Sequence, residues 1–231
     1  MPPGKAPAGA LLRSVRTVFL KDWRSELRTR YAVSALLMFV VTTIAIILFS
    51  LGSEGASSDA LDGMLWVVIF FAAMSGLSRT FVMEEERGTT LTLQLAAPPA
   101  AVFFGKLLFN LVLVTGINAV TVLLYALFIN GFVIRTVSIF AVTVALGSIA
   151  LAAASTIIAA IIARANTRGT LYPVLSFPIM LPLLLSVIEA TRKASEGAFF
   201  AEAGGEFQLL ISYIVVVVVS SSMLFEYIWK D

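Results

Sequence analysis

Residues 84–106 read EEERGTTLTLQLAAPPAAVFFGK, and no other stretch between Tyr31 and Ile188 is as polar for as long. On both sides of this island the chain consists of apolar runs near the roughly 20 residues that a helix needs to cross a bilayer. Only 13% of the 231 residues are charged and 59% are hydrophobic, with a mean hydropathy of +0.98. Soluble domains carry about a quarter charged residues. The composition therefore predicts an all-α, polytopic membrane protein.

Working outward from the island, six spans are expected at about 31–51, 63–82, 103–129, 133–163, 170–188 and 207–228, together forming a permease domain over 31–231. Residues 1–10 hold three Pro and two Gly and are read as a disordered N-terminus. Residues 11–30 are predicted to form an amphipathic helix. Leu12, Val15, Phe19 and Trp23 recur at spacings of three and four, and Arg13, Lys21, Arg24 and Arg28 gather opposite. Such a helix, running into a span, suits the membrane interface, with Lys21, Trp23, Arg24 and Arg28 as its anchoring residues. Placing the N-terminus in the cytoplasm leaves only Arg135, Arg192 and Lys193, of sixteen basic residues, on the outer side. This obeys the positive-inside rule and predicts both termini, and the island, inside.

The chemistry available is narrow. The chain has no Cys and no His, which removes disulfides, thiolate and imidazole metal sites, and His or Cys catalysis. Gly105-Lys106 lacks the upstream Gly and following Ser or Thr of a phosphate-binding loop. The middles of the spans carry no ionisable group, unlike ion-coupled carriers. No catalytic residue and no metal site can be nominated, and a net charge of +2 implies no nucleic-acid partner. Any work done here is expected to be powered from outside the chain.

Within the island, Gly88 either ends the second span or opens a turn. Thr89 or Thr90 is a candidate cap for a short helix that would set Leu91 and Leu95 on one face. Leu91, Leu93 and Leu95 also alternate, which fits a strand. In the fourth span Ser155, Ala159 and Ala163 allow close helix approach. Asn110, Thr115, Asn118 and Thr121 offer hydrogen bonds between helices. Pro173, Pro178 and Pro182 predict a kink in the fifth span. Residues 189–206, with Phe199 and Phe200, read either as short interfacial or re-entrant helices or as a solvated loop.

The island resembles the cytoplasmic loop between the second and third spans of ABC-type export permeases, where an acidic-Arg-Gly-Thr-Leu segment leads to Pro and then Gly-Lys. KDWRSELRTR at 21–30 and ANTRGTLYPVLSFPIMLPLLLSVIEAT at 165–191 extend the likeness. Over nearly its full length the chain is similar to the CcmB family, permease subunits of the cytochrome c maturation haem exporter. Thr92 and Gln94 stand where many relatives carry an acid.

The resemblance implies that Glu84, Glu85, Glu86, Arg87, Gly88, Thr89, Leu91, Leu95, Pro98 and Lys106 form a coupling loop for a separate, CcmA-like ATPase subunit. It implies a homodimer within a complex that includes a CcmC-like haem-handling subunit and a small CcmD-like subunit, in contact with membrane lipid of a bacterial inner membrane. ATP would bind the partner. Haem would be the transported or handled ligand, exported or released with its chaperone, with no cofactor held tightly by this chain. An export permease for a lipid, drug or glycan would share the same loop, and a scaffold that no longer uses ATP would share the spans.

Overall fold

A computed structural model describes residues 8–51, 56–77, 81, 84, 86, 88–164 and 168–230. Among these residues the protein is helical, with no strand. The elements are α1 (Ala8–Thr29), α2 (Tyr31–Leu51), α3 (Ser58–Leu77), α4 (Thr90–Ala96), α5 (Pro99–Phe128), α6 (Val137–Arg164), α7 (Arg168–Glu196) and α8 (Gly204–Lys230), with a 3-10 turn at Phe200–Ala203. Helix at Ala8–Ala10 replaces the end of the expected disordered tail; residues 1–7 of that expectation lie outside the described set.

Among the described residues five helices are long and apolar enough to cross a membrane: Ala32–Leu51, Ser58–Leu77, Pro99–Phe128, Val137–Ala163 and Phe200–Trp229. The expected span 170–188 lies within α7 and is not among the five. It is nonetheless one unbroken helix of 29 residues through all three prolines, about 43 Å long at 1.5 Å per residue. Residues 189–196 of the segment 189–206 continue that helix, and the remainder forms a turn, the 3-10 turn and the start of α8. The helix ends at Gly197, whose φ of +86° turns the chain toward the 3-10 turn and α8.

The core is organised by α6, which packs against α3, α5, α7 and α8. Lipid tails are as apolar as leucine, so helices in a membrane associate through close packing and a few polar contacts rather than through hydrophobic burial. The sequence of α6 supplies both. Ala150, Ala152, Ala153, Ala154, Ser155, Ala159 and Ala163 are all buried, which answers the small-residue spacing with packing inside the subunit. Asn110 Nδ2 on α5 donates to Thr156 Oγ1 at 2.8 Å, and Asn118 Nδ2 donates to Ser148 Oγ at 2.9 Å. Thr121 bonds its own helix at Ile117 O, and Thr115 is exposed, so the two asparagines carry the predicted interhelical bonding.

At the end of the bundle remote from α1, side chains of α3 are latched to their neighbours. Trp66 Nε1 donates to Thr191 Oγ1 at 2.8 Å, Ser195 Oγ to Asp62 Oδ1 at 2.9 Å, and Tyr125 OH to Leu61 O at 2.9 Å. Gly147 makes room for Trp66, because a Cβ there would stand 2.6 Å from the indole ring and 3.2 Å from Val187. Replacing Gly147 with Val should therefore overpack this contact and cost about 1–3 kcal/mol, seen as a lower unfolding midpoint in detergent. An unchanged midpoint would show that α3 and α6 are not held this closely.

Candidate functional site

The inward face of α1 does not lie in lipid. Val15 and Val18 are buried against α5, and α1 follows α5 closely. The approach depends on Gly105: a Cβ there would stand 2.7 Å from the Val18 Cβ and 3.0 Å from the Val15 carbonyl oxygen. Asp22 lies four residues after Val18 and so shares its face. Lys106 follows Gly105. The close contact thus delivers a carboxylate to an amine, with Lys106 Nζ 3.2 Å from Asp22 Oδ2. The outer strip of α1, including Leu12 and Leu27, stays exposed.

Lys106 is 1% exposed at its side chain. A cation so placed is tolerable only when paired and hydrogen-bonded. Glu84 completes the pairing, with Oε1 3.3 Å from Lys106 Nζ, and the Phe81 ring lies 5.0 Å from the same nitrogen. Lys21 adds a second cation, donating to Glu84 and lying 3.1 Å from Asp22 Oδ1. Two amines and two carboxylates make a neutral quartet. Burial alone would push the Glu84 carboxyl up, but Lys106, the hydrogen bonds from Lys21 and Thr89, and the Lys21 charge outweigh it and hold it at about 2. Burial lowers Lys21, yet Asp22 and Glu84 together raise it above its ordinary value.

The quartet positions α4. Thr89 Oγ1 donates to Glu84 Oε2 at 2.6 Å and Thr89 N to Glu84 O at 3.0 Å, and Gly88 turns the chain at φ +65°. The threonine therefore ties the loop to Glu84 rather than capping α4 with its side chain. Residues 90–96 are helical, so the alternation of Leu91, Leu93 and Leu95 does not make a strand. Leu93 turns inward. Leu91 and Leu95 stand 72% and 92% exposed.

The other end of α4 is also fixed. Gln94 Nε2 donates to Trp229 O at 2.6 Å, and Trp229 stacks on Phe225 within a cluster that includes Phe81 and Phe103. Pro98 and Pro99 then start α5, where proline at the first helical position sacrifices no hydrogen bond. Between α1 and α4 runs a cavity of about 460 Å³, bordered by Arg13, Thr17 and Lys21 on one wall and Thr92, Leu93 and Ala96 on the other.

Of the expected loop residues, Glu84, Thr89, Gly88, Pro98 and Lys106 build the frame, and Leu91 and Leu95 form its exposed tip. Glu86 is exposed; Glu85 and Arg87 lie outside the described residues. On α1, Lys21 belongs to the quartet rather than to a solvated basic face, Trp23 stacks on Phe19 at 6.1 Å, and Arg24 and Arg28 are exposed. Asp22, Gly105 and Gln94 were missed by sequence reasoning. The three-and-four spacing of Val15, Val18 and Asp22 carried the signal for the first. Among the described residues no three His, Cys, Asp or Glu side chains converge as a metal site.

A family model described as CcmB protein matches residues 13–226, from the first turns of α1 almost to the end of α8. No curated protein matches the chain.

Replacing Lys106 with Met leaves Lys21 alone to neutralise both Asp22 and Glu84 and should cost about 3 kcal/mol at pH 7. In a chain without native cysteine, a Val18→Cys reporter should then react with maleimide faster, as α1 lifts from α5. Because the Glu84 carboxyl is depressed, its stabilising effect is complete above its ordinary value of 4.5 and is lost as pH falls toward about 2. The stability gap between wild type and Lys106→Met should be constant from pH 7 to pH 5 and narrow below about 4.5. A gap that closes near neutral pH would assign the coupling to another group.

Proposed function

We propose that this chain, which belongs to the CcmB family, is the permease subunit of an ABC-type haem exporter serving c-type cytochrome biogenesis, driven by ATP hydrolysis in a separate ATPase. The observation that carries the reading is the pair Leu91 and Leu95, large apolar side chains held out on a short helix that is tied down through Thr89 and Gln94. An exposed apolar pair on a rigid mount suits insertion into a groove of a soluble partner.

The mount explains how a push on α4 would be used. Thr89 and Glu84 carry it to Lys106 on α5 and to Asp22 and Lys21 on α1, while Gln94 carries it to the end of α8. Three membrane-associated helices are thus engaged by one small element. Pro99 joins α4 to α5 through a two-residue link with no slack. Movement of the ATPase would then tilt α5 and α8 together against the α6 scaffold.

In this reading α7 is the sixth crossing, and both termini face the cytoplasm of a bacterial cell whose inner membrane holds the complex. The shared location of α1, α4 and the end of α8 supports placing both termini on one side. The subunit pairs with a second copy and with haem-handling partner subunits, and ATP-driven movement exports haem or releases its loaded chaperone. The helix α7 bends at Pro178 during the cycle, so Pro178→Ala should lower c-type cytochrome yield without loss of assembly.

Leu91→Asp and Leu95→Asp test the docking role. Both sites are solvent-exposed, so the spans should remain folded and monodisperse in detergent. The expected result is loss of ATPase co-purification and of c-type cytochromes in a strain relying on this subunit. Co-purification of either variant at wild-type yield would remove α4 as the docking element.

A further inference from the structure

The helix α2 is fully buried only along one stripe, Leu36, Val40 and Ile44, at a spacing of four, with Val33, Leu37 and Ile47 packed beside it. Near its N-terminal end a gap opens between α2 and α5 that α1 roofs over. The resulting groove has a volume of about 440 Å³, within the usual range for ligand sites of roughly 300–1,000 Å³. Its floor is apolar and lies on two helices long enough to span the membrane, with Val33 and Leu37 on α2 and Gly116, Ile117 and Val120 on α5. Its rim is polar and lies at the α1–α2 junction, with Trp23, Glu26 and Arg30.

Arg30 is held in an unusual way. Its φ of +51° makes it the one described non-glycine residue in the left-handed region, where an L-residue loses about 1–2 kcal/mol. Glycine would sit there without strain. An arginine kept at a strained position is a reason to ask what its charge does. Glu26 lines the same groove, but its Oε1 accepts from Val33 N at 3.0 Å and so satisfies the first turn of α2. Arg30 pairs with no carboxylate among the described residues, and Arg24 and Arg28, exposed on α1, add positive charge nearby.

We propose that this groove binds one anionic phospholipid from the leaflet on which α1 lies. Arg30 pairs with the headgroup phosphate, Trp23 sits at the level of the glycerol, and an acyl chain lies on Gly116 between α2 and α5. Charge complementarity at Arg30 selects the occupant: with Glu26 engaged by Val33 N, the arginine, backed by Arg24 and Arg28 on the same helix, stands over an apolar trough and so matches an amphiphilic anion. A soluble anion such as inorganic phosphate would gain nothing from the trough, and a zwitterionic lipid little from the rim. The bound lipid would also fill the gap on the side where α2 has least protein contact.

Gly116 offers a clean probe, because a Cβ built there meets nothing within 4 Å. Purified protein would be examined by native mass spectrometry after equilibration with micelles containing phosphatidylglycerol, phosphatidylcholine or inorganic phosphate. One arginine at a membrane surface corresponds to about a fivefold preference for the anionic lipid. Wild type should retain one phosphatidylglycerol per chain with that preference, and Arg30→Lys should keep it. Arg30→Gly should abolish the preference while raising thermal stability, since the backbone strain is relieved; this separates lost binding from unfolding. Gly116→Leu should remove the tightly held lipid while leaving the fold intact, because leucine also favours helix over glycine. Full phosphatidylglycerol preference in Arg30→Gly, an unchanged lipid count in Gly116→Leu, or equal retention of inorganic phosphate would each overturn the proposal.

Discussion

One buried cation sets the architecture of the end of the bundle that carries α1. Lys106 lies inside the contact between α1 and α5, out of reach of water, and must be neutralised where it stands. Asp22 and Glu84 do so from two different segments, one before the first span and one after α3. An apolar residue at 106 would fill the same space and leave both segments free to drift. The cation instead fixes where each must be. Lys21 restores electrical balance once two carboxylates are present, and Thr89 extends the arrangement to α4. The same Gly105-Lys106 pair that fails as a phosphate loop works as a helix contact: the glycine admits α1 and the lysine holds it.

The two ends of the bundle are tied by different mixtures of bond. Remote from α1, hydrogen bonds among Trp66, Thr191, Tyr125 and Ser195, short-ranged and lost with small displacement, stand beside one ion pair between α7 and α8, Lys193 with Glu206. At the α1 end the ties are largely ionic and decay slowly with distance. Between them stands α6, closely packed through buried alanine and serine together with buried Leu151, Ile158 and Ile162. A structure so built resists internal rearrangement at its centre and can shift at the ionic end without first breaking every tie. That is the mechanical profile expected of a subunit moved by a partner.

Much of this was written in the sequence, though unevenly. The start of the expected run at about 31–51 coincides with the start of α2 at Tyr31, because the apolar run begins abruptly after Arg30. The start of α6 and the end of α7 were less legible: α6 begins at Val137 rather than at 133, and α7 runs past 188 through Glu189, Arg192 and Lys193 to Glu196. The three prolines of α7 lie within one continuous helix. In α4 the leucine alternation fitted helix and strand alike, and the choice was made by contacts from Glu84, 135-residue-distant Trp229 and the α1 wall. Periodicity along α1 showed an apolar side, but could not show that protein rather than lipid covers part of it. That depended on Gly105, a single residue remote in sequence.

The separation between Asp22 and Lys106, 84 residues along the chain, has a consequence for biogenesis. When α1 leaves the ribosome neither of its ionic partners yet exists, and Glu84 and Lys106 follow only after two spans have been made. Until then α1 has nothing to bind but the membrane surface, for which its arginines and its Leu12 strip are suited. Its transfer from lipid to protein marks the moment when the third hydrophobic segment is correctly seated. The quartet can close only when Glu84 and Lys106 come to the side on which α1 lies, so early spans inserted in the wrong orientation would leave Asp22 without Lys106.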